Sequence, residues 1–188
     1  MSAPDISNAL AATPAFSTIS EEWRERLAAH AEIVSFALGE IVLRRGENAK
    51  GFFVIISGKV RVVDDSGDGK PVNLDLLKKG DSFGERSLLL DQAVSATVRA
   101  AGETVLVRIP PKQFQELVVA HPALKSTFEQ AISKNLEFNF LKTQDLISDL
   151  KPKQTQELVK LVETIELGDG EPLFHEGDAG DAMYLIRN

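Results

Sequence analysis

The segment from Lys79 to Ala100 reads KGDSFGERSLLLDQAVSATVRA, and it concentrates the residues that could do chemistry. Gly80-Asp81-Ser82 breaks a strand, and Phe83-Gly84-Glu85 then opens a short helix over Arg86–Leu90. A helix start presents unpaired N–H groups and the positive end of the dipole. Gly84 lets a ligand approach the backbone closely. Together they predict an anion site. Glu85 is an odd neighbour for an anion. It fits if its carboxylate accepts from a sugar hydroxyl. Otherwise it serves only to stabilise the helix start.

Such a cassette needs a scaffold, and the flanking sequence supplies short β-rich runs separated by glycines. The runs are Ile33–Phe36, Ile41–Leu43, Phe52–Ile56, Val60–Val63, Val72–Leu77, Ala96–Val98 and Val105–Ile109. The breaks fall at Gly39, Gly46, Gly58, the Asp64–Gly69 stretch, Gly80 and Gly102. Asp65-Ser66-Gly67-Asp68-Gly69 reads as a hairpin tip. Many short strands with turn signals predict a sandwich or a rolled barrel. Ahead of them, Ser20 caps a helix whose Trp23, Leu27, Ala28 and Ala31 recur at helical spacing. Residues 1–13 read as a small, polar, loosely held arm. After the strands, Pro110-Pro111 starts a helix, which His121-Pro122 interrupts. Leu124, Phe128, Ile132 and Leu136 step by four along a longer helix.

The chain also repeats itself. Gly39-Glu40-Ile41-Val42-Leu43 recurs as Gly170-Glu171-Pro172-Leu173-Phe174, an offset of 131 residues. At that offset Gly46 meets Gly177, and Phe52-Phe53-Val54-Ile55 meets Met183-Tyr184-Leu185-Ile186. Leu27 meets Leu158, and Leu10 meets Leu141. The copy ends at Asn188, opposite Ser57, so the expectation is a fragment of a longer polypeptide whose second unit is cut in mid-fold. Its edge around Ala182–Asn188 is expected to pair with another chain.

With these residues in place, Lys79–Ala100 resembles the phosphate-binding cassette of cyclic nucleotide-binding domains, the family of the catabolite activator protein and of the regulatory subunit of cyclic-AMP-dependent protein kinase. The family pattern is Phe-Gly-Glu, a short apolar helix, then Arg-(Ala/Ser)-Ala-Thr-Val. The resemblance covers Phe16 to Leu136, and Leu141 to Asn188 as the first part of a second copy. It implies a mainly β fold with flanking helices: a jelly-roll-like β-roll (double-stranded β-helix) with N- and C-terminal helices, followed by the first part of a second such unit. The implied division is an arm over 1–13, a roll with a C-terminal lever helix over 14–140, and a truncated second domain over 141–188. The implied ligand-binding residues are Phe83, Gly84, Glu85, Arg86, Ser87, Val94, Ser95, Ala96 and Thr97. By resemblance, Glu85 contacts a ribose 2′-hydroxyl, Gly84 and Ser95 lie near a cyclic phosphate, and Thr97 lies close to the base.

One position departs from the pattern. The phosphate arginine should stand just before Ser95, and this chain has Val94 there. An arginine would give a charge-assisted, often bidentate contact. Losing a buried charge partner of that kind costs about 2–5 kcal/mol, or roughly 30- to 4000-fold in affinity. The expectation is therefore weak or lost binding of cyclic AMP or cyclic GMP, with no other cofactor. An apolar residue at 94 would also improve packing against the short helix.

Composition narrows the remaining classes. The 188 residues are 43% hydrophobic and 26% charged, which is globular. There are 0 cysteines, so disulfides, thiolate zinc sites and a cysteine nucleophile are excluded, and a reducing cytoplasm fits. No apolar run is long enough for a membrane helix. The net charge is −7, and the nearest thing to a basic cluster is Lys142, Lys151 and Lys153. This argues against direct nucleic-acid binding. His175, Glu176, Asp178 and Asp181 align with Arg44, Arg45, Glu47 and Lys50 in the repeat and read as a hairpin loop, not a metal site. Ser17, Ser20 and Ser87 have no His-Asp partners in any motif, and no glycine loop of the Walker or dinucleotide-binding kind occurs. The expectation is a non-catalytic regulatory or docking module. Its partners would be a cyclic nucleotide or other small ligand, other domains of its own polypeptide, or a second copy through the lever helix or the cut edge strand. A transcription factor would need a helix-turn-helix where the repeat stands. A kinase regulatory role is disfavoured because residues 1–13 hold no Arg-rich pseudosubstrate. Tandem rolls with this cassette and no arginine are also similar to the N-terminal parts of some bacterial peptidase-containing ABC exporters, which keeps a structural docking role open.

Overall fold

The computed structural model describes residues 3–65, 71–144, 147, 150 and 152–186. The tip of the predicted hairpin (66–70), Leu146, Lys151 and the side chain of Lys153 lie outside the described residues. The chain divides into two compact units, Met1–Asn135 and Leu136–Asn188.

The first unit begins with helix α1 (Ala3–Ala11), a 3-10 turn (Pro14–Phe16) and α2 (Glu21–Ala28). The strands are β1 (Glu32–Phe36), β2 (Ile41–Leu43), β3 (Phe52–Ser57), β4 (Lys59–Asp64), β5 (Val72–Lys78) and β6 (Ser82–Phe83). Helix α3 (Glu85–Leu90) follows, then β7 (Thr97–Ala100), β8 (Thr104–Ile109), α4 (Pro111–Ala120) and α5 (Pro122–Lys142). Two antiparallel sheets result, in the orders β1-β8-β3-β6 and β2-β7-β4-β5. This is the mainly β roll with flanking helices that the sequence implied.

Strand periodicity divides the core in two. Successive side chains of a strand point to opposite faces. On β3, Phe52 and Val54 join Val107 and Ile109 of β8 in a cluster with the helices: Leu27 of α2, Phe114 and Leu117 of α4, Leu124 and Phe128 of α5. The alternate residues Phe53 and Ile55 join Leu106, Val42, Leu43, Val60, Phe83, Val94 and Val98 in the interior of the roll. The run FFVIIS is apolar on both faces because both are covered. Phe52 is the keystone of the helical side. It stacks on Phe114 at 4.8 Å and meets Phe16 and Phe128 edge-on at 5.7 and 5.5 Å.

The N-terminal residues correct one expectation. Residues 3–11 are not a loose arm but helix α1, which buries Ile6 and Leu10 in the helical cluster with Phe16 and Leu27. Two apolar residues four apart suffice because a ready-made apolar surface receives them. Ser20 caps α2 as read, its Oγ accepting from the Trp23 N–H at 3.4 Å. Gly58 turns β3 into β4 at φ +84°, where an added Cβ would lie 2.3 Å from the Glu103 carbonyl oxygen. Thr104 braces this turn, its hydroxyl donating to the Lys59 carbonyl at 2.9 Å.

The second unit contains helix α6 (Pro152–Val159). Residues 162–186 follow with turns and no strand, so the sheet expected of a second roll is not formed among the described residues. No described helix is long and apolar enough to cross a membrane.

Candidate functional site

The cassette is mounted on the roll through β6. The Gly80 N–H donates to the Ile55 carbonyl at 2.9 Å, and the Ile55 N–H donates to the Asp81 carbonyl at 3.0 Å. Asp81 closes the turn by accepting from the Lys78 N–H at 2.9 Å. Phe83 then stacks on Phe53 with ring centres 5.2 Å apart. Gly84 follows at φ +95°, and a Cβ there would sit 2.7 Å from the Gly51 carbonyl oxygen. Glycine is thus required twice over, by its backbone angle and by the close approach of Gly51.

That approach fixes where α3 starts, and with it Glu85. The Glu85 Oε2 is buried and has no hydrogen-bond partner. Burial pushes the Glu85 carboxyl above the usual carboxylate range, against smaller opposing effects from its own backbone N–H and the neighbouring Arg86. Burial likewise lowers the pKa of the half-buried Arg86, against the opposite pull of Glu85. A buried, unpaired carboxylate oxygen is a costly feature.

The far end of the cassette returns along the 44–47 turn. The Val94 N–H donates to the Glu47 carbonyl at 2.9 Å, and the Gly46 N–H donates to the Val94 carbonyl at 2.8 Å. The Val94 side chain is 5% exposed and belongs to the interior cluster with Phe53, Phe83 and Val98. Leu88 of the short helix belongs to the helical cluster. Ser95 is exposed, and Ala96 and Ser87 are buried. Thr97 is fully buried: its hydroxyl donates to Asp65 Oδ2 at 2.8 Å and accepts from the Arg45 N–H at 3.2 Å. Its hydrogen-bonding capacity is largely committed to the protein.

Three residues that matter here were not singled out by sequence. Asp65 meets Thr97 across 32 positions. Gly51 backs onto Gly84. Gln115 of α4 donates from Nε2 to the Leu88 carbonyl, tying the end of α3 to the helix that follows the roll. No local spacing signals any of these pairings.

Residues 33–121 match the family described as the cyclic nucleotide-binding domain. A curated relative, the cAMP-dependent protein kinase regulatory subunit of Blastocladiella emersonii, is 30% identical over 151 residues, covering 80% of this chain and 35% of the relative. This chain therefore spans about a third of that protein's length. Among solved structures, the regulatory domain of Toxoplasma gondii PKA with cAMP aligns with TM-score 0.65 at 20% identity, over 70% of this chain and 50% of that one. The regulatory subunit of a cAMP-independent protein kinase A from Trypanosoma cruzi, bound to guanosine, aligns with TM-score 0.63 at 19% identity, over 85% and 50%. At these identities the two structures establish the shared fold.

Proposed function

We propose that this chain is a non-catalytic regulatory sensor module whose cassette, Phe83–Thr97, retains the ribose side of a cyclic nucleotide site and has lost most of the phosphate side. The observation that carries this is Val94, an apolar side chain packed into the roll where the family places its arginine. In this reading the roll with its lever occupies residues 14–140, and residues 141–188 belong to a second unit of the same kind.

The output would run through the helices after the roll. Leu88 packs in the same cluster as Phe114, Leu117, Leu124 and Phe128, and Gln115 holds the Leu88 carbonyl. A ligand that holds α3 differently in two states would shift α4 and α5 with it, by no more than its difference in affinity for those states. Other domains of the same polypeptide are the natural receivers of such a movement. The burial of Val94 also favours a second reading, in which the pocket is retired and the roll serves as a docking unit.

The test is calorimetric titration of the chain and of Val94→Arg with cyclic AMP and cyclic GMP. The wild type is expected to bind at least about 30-fold more weakly than Val94→Arg, the lower limit for a buried charge partner. Equal affinity of the two would overturn the weight placed on Val94. Silence of a folded Val94→Arg towards both nucleotides would leave the docking reading.

A further inference from the structure

The Glu85 carboxylate oxygen is buried, unpaired and held in place by the contact of Gly84 with Gly51. Any ligand of the cassette must offer it a donor. Three surroundings limit what that ligand can be. Arg86 already supplies a positive charge beside Glu85, which disfavours a cationic ligand. An anion meets Val94 instead of a cation at one end, and a second carboxylate, Asp65, beside Thr97. Arg44 is engaged by Glu47 at 3.5 Å. The Thr97 hydroxyl already donates to Asp65, so it has no proton left for a phosphate oxygen. What remains is a neutral donor of hydroxyl groups.

We infer that the cassette takes a neutral ribonucleoside in preference to a cyclic nucleotide, with a ribose hydroxyl donating to Glu85 and no phosphate beside Val94. This rests on reading Phe83–Thr97 as a ribosyl-ligand cassette, and it names the ligand class that reading left open. A hydroxyl donated to a buried carboxylate is a charge-assisted bond, and its loss is felt in full because the acceptor is left unpaired. Discrimination should therefore fall on the ribose hydroxyls and on the absence of a phosphate. The identity of the base should matter less.

The experiment titrates the whole chain with guanosine, adenosine, 2′-deoxyguanosine, 2′-deoxyadenosine, cyclic AMP and cyclic GMP, with Glu85→Ala and Val94→Arg in parallel. At least one ribonucleoside should bind, its 2′-deoxy form about 10- to 100-fold more weakly, and the cyclic nucleotides at least as weakly as the deoxy form. Glu85→Ala should erase the difference between the ribo and deoxy forms. Equal binding of the ribo and deoxy forms by the wild type overturns the role of Glu85. Cyclic nucleotides bound as tightly as nucleosides overturn the neutral preference. If the wild type ignores every nucleoside while Val94→Arg binds cyclic AMP, this inference fails and the proposed function stands. If a folded Val94→Arg is also silent to all six probes, both fail. Should Val94→Arg not fold, the ribo-against-deoxy comparison on the wild type alone decides.

Discussion

Glu85→Gln should stabilise the roll at neutral pH while weakening its tie to ligand. The folded carboxyl titrates above its ordinary value of 4.5, chiefly because it is buried. Between 4.5 and the folded pKa the folded chain holds a proton that the unfolded chain has released. Stability must then fall as pH rises through that window, by at most about 1.4 kcal/mol per pH unit for one group. The favourable contribution is complete below the unfolded value, lost as pH passes the folded value, and constant beyond. The plateau reflects an ionised oxygen buried without a partner, a penalty of about 1–3 kcal/mol. Glutamine keeps the shape and removes the titration. The assay is urea unfolding from pH 4.5 to 8, followed by fluorescence of Trp23, the 1 tryptophan of the chain, which packs against the helical cluster of the first unit. Other carboxylates titrate as well, so the quantity to plot is wild type minus Glu85→Gln. That difference should be small at pH 4.5 and grow to about 1–3 kcal/mol in favour of the variant by pH 8. A flat difference, or one that favours the wild type as pH rises, would refute the reading of Glu85 as a buried, unpaired acid.

Val94→Arg, the gain-of-affinity variant, should weaken the unliganded fold by about 1–3 kcal/mol, because a longer charged side chain enters the cluster of Phe53, Phe83 and Val98. Cyclic AMP should return part of that loss in a thermal melt, and no recovery would place the new guanidinium away from the cassette. Phe52→Ala removes a fully buried ring that touches three others and should cost about 3–5 kcal/mol in urea unfolding. A loss below about 1 kcal/mol would mean that the cluster closes over the gap.

The sequence was most readable where local rules settle the outcome. The strands of the roll announced themselves by apolar runs between glycines, and β1 to β5, β7 and β8 lie within two residues of the runs. The helix break at His121-Pro122 followed from the restriction that proline places on its predecessor. Strand β6 has 2 residues, too short to carry a period, and it exists only because β3 supplies its partner. Helix α1 escaped notice because its apolar face is two residues wide and is completed by Phe16 and Leu27. The cassette showed the same split. Gly84, Glu85 and the missing arginine could be read from the motif, whereas the Thr97–Asp65 bond and the Gln115–Leu88 tie depend on chain segments that only the fold brings together.

The internal repeat separates these two kinds of information more sharply. Helix α2, Glu21–Ala28, and helix α6, Pro152–Val159, stand at the offset of 131, end to end. Gly39 and Gly46 take φ of +84° and +83°, and their counterparts Gly170 and Gly177 take +78° and +95°. The Glu40 carboxylate accepts from the Ala37 N–H at 2.6 Å, and the Glu171 carboxylate accepts from the Gly168 N–H at 2.9 Å. The Glu47 N–H reaches the Arg44 carbonyl at 3.2 Å, and the Asp178 N–H reaches the His175 carbonyl at 3.1 Å. Even a side-chain pair persists: Leu43 and Phe53 share the interior cluster of the first roll, and their counterparts Phe174 and Tyr184 stack at 6.0 Å. The strands are not copied. In the first unit β2 is formed by β7 and β3 by β8, segments about 50 residues further on, and no such partner pairs with 172–174 or 183–186 among the described residues. Phe174 and Tyr184 are accordingly 64% and 42% exposed, where Leu43 and Phe53 are buried. A turn closes its own hydrogen bond within four residues and needs only the right glycine. A strand has no internal hydrogen bonds and no stability without a neighbour. Among the described residues, 152–186 therefore share with 21–55 turns that a short stretch of chain can specify alone, and form none of the strands that require a partner.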